Sequence, residues 1–472
     1  MTWLKSRISF CVEQCVWVRA IARRFKTPDY EATLDETVTI GDCLPPEHLA
    51  RFVVKTVSSL DLGAIYSRYG AVGGESIAPE ILLGLLFYGY ATGTFRSRKI
   101  EKATYEVIPF RFIAGGLHPD HDTIASFRRR FLAQIKGLFV QILVLAAREG
   151  KLQIGNISLD GTKIHADASK SHAVSYKRLV ELEERLEKEV EELFALSEMH
   201  NDLPQGLDVE EELRLREKHL TDLRRARQIL EERARERYEA ELAEYEAKVR
   251  DRQERAEREG HKPRGRDPKP PIAGPHNKDQ YNFTDPESRI MKNSNNSGFD
   301  QHYNVQVAVD QNSFLIVSNT VSNHPNDYEE AIPTLNAIPK EVGKPNAVAL
   351  DNGYFSTDNI SGIESLGVEP YIATGREPHH KNWKDYFSVE QLVVPPEDAS
   401  PMVRMAFKLK AEIGNAIYRV RKCTVEPVIG IIKEILGFRQ FSLRGLEGIS
   451  GEWALVCIAF DIKRLHKLLL PG

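Results

Sequence analysis

The chain has 472 residues, with 64 Lys and Arg against 68 Asp and Glu, a formal net charge of −4. Its 42% hydrophobic and 28% charged residues are those of a globular protein, which excludes wholesale disorder and a collagen-like chain. Five scattered cysteines make no disulfide framework and suit a reducing cytoplasm.

The N-terminal stretch 1–26 is apolar in part, but Glu13 and Arg19 interrupt it and no small-residue cleavage site follows. It reads as an extension without a part in chemistry, not as a signal peptide. Cys11 and Cys15 lack a second ligand pair for zinc. Residues 46–149 read as helical. Pro45-Pro46 opens a first helix, and Ile81–Tyr90 forms a strongly apolar one. Asp122 is the expected N-cap of a run from Ile124 to Ala147. Arg128, Arg129 and Arg130 stand there beside an apolar stripe of Phe127, Phe131, Ile135 and Phe139. Short helices with a basic face fit either a helix-turn-helix reader or a packing domain.

Residues 152–164 read as a strand ending in the polar turn Asp160-Gly161. From Tyr176 to Glu259 leucines recur at three- and four-residue steps, broken by Asn201, Pro204 and Gly206. This predicts an antiparallel, coiled-coil-like helical hairpin. Residues 260–278 are a Pro/Gly/Lys-rich linker without fixed secondary structure. Strands are predicted at Tyr303–Asp310 and Phe314–Val321, joined by a hairpin turn. A helix is predicted over Asp327–Ile338, with Asn323, His324 and Asn326 as capping residues before it. A strand at Asn346–Asp351, a helix at Ser356–Leu366 and a strand at Val368–Ala373 follow. Residues 374–400, with His379-His380, are irregular. Helices at Met402–Leu436, with a possible break at Pro427, and Gly448–Leu470 close the chain. No apolar run reaches the ~18–20 residues of a membrane-spanning helix.

Charge is unevenly spread. Residues 176–260 hold 18 Lys/Arg and 26 Asp/Glu, net −8, so the remainder carries +4. Residues 401–472 hold 12 basic and 6 acidic residues, and residues 95–130 hold 8 and 4. A basic region beside an acidic one suits a polyanion binder as well as it suits random surface clustering. Three acids stand at informative places: Asp160 and Asp351 at strand ends, and Glu426 in the C-terminal helical region. Acids just beyond buried strands sit at the carboxyl edge of a sheet, where α/β sites form. Their hard oxygens suit Mg²⁺ or Mn²⁺. Taken singly, each is more commonly a turn residue or a helix cap. Asp310 also ends a strand, but its place before a hairpin turn is commonplace for Asp. His165 and Asp167 follow Asp160 closely enough to support it.

The words LDGTKIHADAS, YNVQVAVD, ALDNGYFS and VEPVIGIIKEILGFRQFSLRG, in this order, resemble bacterial insertion-sequence transposases of the DDE class. The block from Ser76 to Phe131 resembles the helical domain that precedes the catalytic core in one branch of them, so the likeness runs from about residue 40 to 470. The resemblance implies an α/β fold: a ribonuclease H-like core interrupted by a long helical hairpin and preceded by an all-helical domain. The corresponding segments are an extension (1–40), a helical, DNA-binding domain (41–150) and the catalytic domain (151–172 and 279–472). The hairpin (173–260) and the linker (261–278) interrupt the last.

It further implies that Asp160, Asp351 and Glu426 hold two Mg²⁺ ions, with Mn²⁺ as substitute. Around the Glu, the family signature has a Tyr, a basic residue and a Lys. Tyr418 and Arg421 keep their mutual spacing, and Lys433 lies seven residues after Glu426, almost two turns of a continuous helix. Arg421, however, lies five residues before Glu426 where the signature has four, and Lys422 holds that place; both remain candidates for phosphate contact. The acidic 173–260 segment is expected to serve protein–protein contact or spacing, since phosphate prefers Lys or Arg. The implied partner is double-stranded DNA, both terminal inverted repeats and target, bound by a homodimer or higher oligomer in the bacterial cytoplasm, with no membrane. Two other readings fit the same residues: a metal-dependent nuclease that cuts without joining, and a catalytically silent DNA-binding relative.

Overall fold

A computed structural model describes residues 25–31, 39–70, 74–198, 208–262, 265–293, 298–375, 394–396 and 399–470. Cys11, Cys15, the break at Asn201, Pro204 and Gly206, and His379-His380 lie outside the described residues. The chain divides into two compact units, one made of Met1–His165 with Tyr303–Gly472 and the other of Ala166–His302.

In the first unit, a short parallel pair β1 (Phe25–Lys26) and β2 (Ser76–Ile77) accompanies a set of helices: α1 (Leu49–Ser58), α2 (Gly63–Tyr66), α3 (Pro79–Ala91), α4 (Ser97–Glu106), α5 (Ile108–Ile113), α6 (His121–Arg130) and α7 (Leu132–Arg148). Two expected caps move. His48, not the Pro pair, caps α1 by accepting the Ala50 N–H. Asp120, not Asp122, caps α6, because its carboxylate lies three residues before the Thr123 N–H it accepts. The expected run to Ala147 is bent by 75° between α6 and α7, at Phe131. Helix α3 is apolar all round and buried along nearly its whole length, as suits a helix enclosed by others.

The same unit holds a sheet. Strand β3 (Asn156–His165) lies between β7 (Phe299–Asp310, whose first four residues belong to the other unit) and β9 (Ala347–Leu350). β8 (Ile316–Ser322) pairs antiparallel with β7, and β10 (Glu369–Ile372) pairs parallel with β9. The order is therefore β8-β7-β3-β9-β10. β9 is buried at all four positions, the run expected of a strand inside a sheet covered on both faces. Between the strands lie α10 (Ala331–Asn336) and α11 (Thr357–Ser365, capped by Ser356).

The C-terminal helices are α12 (Pro401–Lys410), α13 (Glu412–Gly430) and α14 (Leu446–Leu469). The break falls at Ala411, whose ψ of 149° is extended, and not at Pro427, which sits inside α13. Pro427 lacks an N–H, and a wider π-turn follows at Ile431–Ile435. Helix α14 is buried continuously from Gly451 to Ile462. It packs on α3 and α7 on one side and on β8 on the other, so helices and sheet share one core. No single helix is long and apolar enough to cross a membrane among the described residues.

In the second unit, α8 (Tyr176–Glu198) and α9 (Val209–Glu259) pack through Leu179 and Leu186 against Leu220, Leu223, Ala226 and Leu230. Ion pairs Glu183–Arg227 (3.1 Å), Glu187–Arg224 (2.7 Å) and Glu189–Arg216 (3.1 Å) run in opposite chain directions, so the helices are antiparallel. The antiparallel pair β4 (Ala173–Ser175) and β5 (Gln280–Asn282) adds Val174 and Tyr281 to this core. β6 (Arg289–Lys292) pairs with Phe299–His302. The Pro/Gly-rich segment after Gly260 forms no helix or strand among its described residues. It is nonetheless tied to α9, by Arg252 to the Gly265 carbonyl (2.9 Å) and by Arg237 to the Gly274 carbonyl (3.3 Å).

Candidate active site

The site grows out of strand register. β3 and β9 run parallel with Asn156 beside Ala347, Ile157 beside Val348 and Ser158 beside Ala349. Continued by two residues, the register sets Asp160 beside Asp351. Asp160 accepts the Gly161 N–H (2.9 Å). Asp351 caps the single turn Asn352–Tyr354 by accepting the Gly353 N–H (2.7 Å). Helix α13 lies over this edge. The Thr424 hydroxyl donates to Ser158 Oγ (2.8 Å) and Gln311 Nε2 to the same oxygen (3.0 Å), both Ser158 and Thr424 being fully buried. This anchorage sets the buried Arg421 over the end of β9 and over Asp160, which lies within β3 and not in the turn expected there, because the strand runs on to His165. Its Nη1 donates to Asp160 Oδ2 (3.0 Å) and its Nη2 to Glu426 Oε1 (3.2 Å).

Charge in this edge is unbalanced. Burial pushes the Asp160 carboxyl up to about 7; Arg421 opposes the rise, while Asp351 and Asp327 add to it. Asp351 is raised too, by burial first, with the Gly353 N–H and Arg421 opposing and Asp327 reinforcing. For Arg421, burial works against the charge, but Asp160, Tyr418, Asp351 and Glu426 together overcome it and strengthen its hold on the proton. One guanidinium thus faces more carboxylates than it can neutralise.

Of the residues singled out in the sequence, Asp160, Arg421 and Glu426 are directly bonded, and Asp351 is adjacent through the register. Tyr418 lies one turn before Arg421 on α13 and acts on its charge. Lys422 is on the exposed side of α13. Lys433 is not carried on a continuous α-helix with Glu426: the π-turn intervenes, and its ammonium donates to Thr162 Oγ1 (3.0 Å) and the Lys163 carbonyl (3.3 Å) of β3. Burial lowers its pKa.

Arg128 is a correction. It is 6% exposed, donates to the Tyr90 hydroxyl (2.7 Å) and stands 3.6 Å from buried Glu452, so it is a core residue and not part of a basic surface. The stripe expected beside the arginines faces the same core and draws Arg128 in with it. Arg129 and Arg130 remain exposed, Arg130 resting on the Tyr69 and Phe131 rings. Asp310 is a turn residue, accepting from Asn312 and Ser313.

Asp327 escaped the sequence reading, which made it the start of a helix. The helix begins at Ala331 instead, and the Asp327 carboxylate accepts from Asn304 Nδ2 (2.8 Å) and Gln306 Nε2 (2.7 Å). The signal was in β7: Asn304 and Gln306 fall on one face of the strand, interleaved with the apolar Tyr303, Val305 and Val307 of the other. Two buried amides need partners.

All donors here are hard oxygens in negative excess, the chemistry that suits Mg²⁺ or Mn²⁺. Among the described residues no group of three or more His, Cys, Asp or Glu side chains stands together in metal-holding geometry. Glu426 is turned to Arg421 and partly exposed.

Residues 38–130 match the Transposase domain (DUF772) family, and residues 271–462 match the Transposase DDE domain family. The first match spans α1 to α6; the second contains Asp351 and Glu426, while Asp160 lies before it. Nothing among curated proteins and nothing among solved structures matches the chain. The two matches define a DDE transposase, a family that implies phosphoryl transfer on DNA and typically uses divalent metal ions. The chain belongs to the insertion-sequence DDE transposases with an N-terminal helical region.

Proposed function

We propose that the protein binds the terminal inverted repeats of its own insertion sequence, cuts at the element ends and joins them to target DNA. The proposed catalytic acids are Asp160, Asp351 and Glu426, holding two Mg²⁺ ions, with Mn²⁺ as substitute. The observation that carries the reading is the closeness of Asp160 and Asp351, two residues beyond the paired Ser158 and Ala349 of parallel strands, with Arg421 linking Asp160 to Glu426. A ribonuclease H-like core is supported by the strand order β8-β7-β3-β9-β10, with the 166–302 unit inserted between β3 and the rest. The helical hairpin of that unit then serves spacing or protein–protein contact.

When bound, the ions supply charge stabilisation to the entering and leaving oxygens of an in-line displacement. The side chains do the rest. Asp160, Asp351 and Glu426 would hold the ions as carboxylates, against the burial that raises both aspartates. Arg421, bonded to Asp160 and Glu426, has the planar fork suited to a DNA phosphate and would contact one there. Lys433 holds the β3 edge, and Tyr418, Lys422, Arg129 and Arg130 add contacts to DNA. In the first step water breaks the phosphodiester at the element end and leaves a 3′-hydroxyl. In the second that hydroxyl attacks target DNA; a new P–O bond forms and the target's 3′-oxygen leaves with the proton. Two ends handled together call for a dimer or larger assembly, acting on nucleoid DNA in the bacterial cytoplasm.

The test is cleavage and strand transfer on labelled DNA carrying the element's ends, with Mg²⁺ and with EDTA. Metal-dependent nicks at the ends plus joined products are expected. Cuts without joining would make the protein a nuclease, and specific binding without cuts a silent relative.

A further inference from the structure

Beyond the three acids lies a fourth carboxylate whose position is fixed from several sides. Asp327 sits in the loop between β8 and α10. Its Oδ1 accepts from both Asn304 and Gln306, which are buried on one face of β7. Gln306 Oε1 in turn accepts from the hydroxyl of Tyr354, fully buried in the turn that Asp351 caps. The loop acid, the middle of β7 and the Asp351 turn are therefore joined by one chain of hydrogen bonds.

Two glycines show how close this acid comes to the other two. A Cβ at Gly161, the neighbour of Asp160, would stand 2.6 Å from Asp327 Oδ1 and 2.3 Å from Gln306 Nε2, so a side chain there would displace this bonded pair. A Cβ at Gly353 would stand 3.0 Å from Asp351 Oδ1 and 3.8 Å from Asp327 Oδ2. Both carboxylates thus lie within 4 Å of one point, and only hydrogen occupies the glycine's side-chain position between them. Oδ1 is the anchored oxygen, and Oδ2 faces the Asp351 side.

We propose that Asp327 is a positioning acid of the active site, adding fixed negative charge through Oδ2 to the cation pocket of Asp160 and Asp351. It also holds the Asp351 turn through Gln306 and Tyr354. The proposal rests on the assignment of Asp160 and Asp351 as cation ligands. Carboxylates just outside a metal's ligands tune its affinity, and their loss costs about 10–100-fold. An amide at position 327 keeps an oxygen for Asn304 and Gln306 and replaces the charged Oδ2 with a neutral NH2 group.

The experiment is a Mn²⁺ titration of the thermal unfolding midpoint of the full chain, compared with EDTA, for wild type, D351N and D327N. Wild type is expected to gain stability with Mn²⁺ and D351N to lose that response. D327N is expected to unfold in EDTA at close to the wild-type temperature but to need about tenfold more Mn²⁺ for the same gain. A D327N protein with the wild-type Mn²⁺ dependence overturns the proposal, even if its midpoint in EDTA has dropped, because Asp327 then only supports the fold. A wild type without a Mn²⁺ response, or a D351N protein that keeps it, overturns the assignment of the cation pocket and this proposal with it. Should D327N fail to fold, D327S, which leaves one hydroxyl oxygen to the two amides and no charge, is read the same way.

Discussion

Among the described residues of the first unit, two buried arginines stand beside carboxylates, and they are built differently. Arg128 faces Glu452, which also accepts from the Tyr90 hydroxyl (3.0 Å), the Ser442 N–H (2.9 Å), the Leu443 N–H (3.0 Å) and the Ser442 hydroxyl. One cation meets one anion, and the anion's lone pairs are taken up by neighbours. Arg421 faces Asp160 and Glu426 with Asp351 and Asp327 close by, so negative charge exceeds positive. The first arrangement ties helices α3, α6 and α14 together and leaves nothing to attract a ligand. The second leaves carboxylate charge in surplus, which a cation bound as proposed would relieve. A balanced buried ion pair marks structure; an unbalanced one marks a place where charge is missing.

The sharpest way to break this comparison is to neutralise an acid at each place. Asp351→Asn is expected to reduce end cleavage by about a thousandfold or more, the rate equivalent of several kcal/mol of charge stabilisation. DNA binding, measured by gel shift, should persist. Continued cleavage would remove Asp351 from the site.

Arg128→Ala should act the other way, on the fold. Leaving Glu452 buried without its cation is expected to cost about 3–5 kcal/mol in urea unfolding. Arg130→Ala, at an exposed position, should cost less than about 1 kcal/mol. Equal losses from the two would erase the distinction between core and surface arginine.

A third prediction uses pH in the absence of metal. The Asp160 carboxyl titrates near 7 in the folded protein against an ordinary value of 3.8. Because the folded value is raised, its contribution to stability is fully present below the ordinary value. It is lost as pH rises through about 7. Stability in EDTA should therefore fall by an order of a few kcal/mol across that window, and Asp160→Asn should flatten the fall. A wild-type profile unchanged by the substitution would mean that the carboxylates are not in surplus.

The smallest effects belong to the exposed cations. Lys422→Ala and Arg129→Ala should each lower the slope of log affinity against log salt by about 1 while changing stability by no more than about 0.5 kcal/mol. An unchanged slope would take that residue off the DNA surface.

Much of the sheet was legible because its strands are short apolar runs ending in polar turns. Ala347–Leu350, Glu369–Ile372 and Ile316–Ser322 fall inside or within a residue of the predicted strands. The long α8 and α9 announced themselves through leucine spacing. The misreadings were local choices that neighbours decide. Asp122 and Asp120 are equally good caps in composition, but only Asp120 lies three residues before the Thr123 N–H that it accepts. Arg128 is one of three successive arginines, and helical geometry sends it inward with Phe127 while Arg129 and Arg130 point out.

By itself the sequence determined where the apolar and polar runs lie, and with them β3, β9, the leucine-spaced helices and the words carrying Asp160, Asp351 and Glu426. Those are properties of neighbouring residues, set by side-chain period and turn chemistry. Only the tertiary structure decided that Asp160 and Asp351 stand side by side and that Arg421 bridges to Glu426. It also buried Arg128 against Glu452 and turned Asp327 from an expected helix start into a fourth carboxylate. These depend on register between strands more than 180 residues apart in the chain and on the packing of α13 and α14. No local pattern encodes them, because the free energy that selects them comes from burying surfaces the chain brings together only when folded.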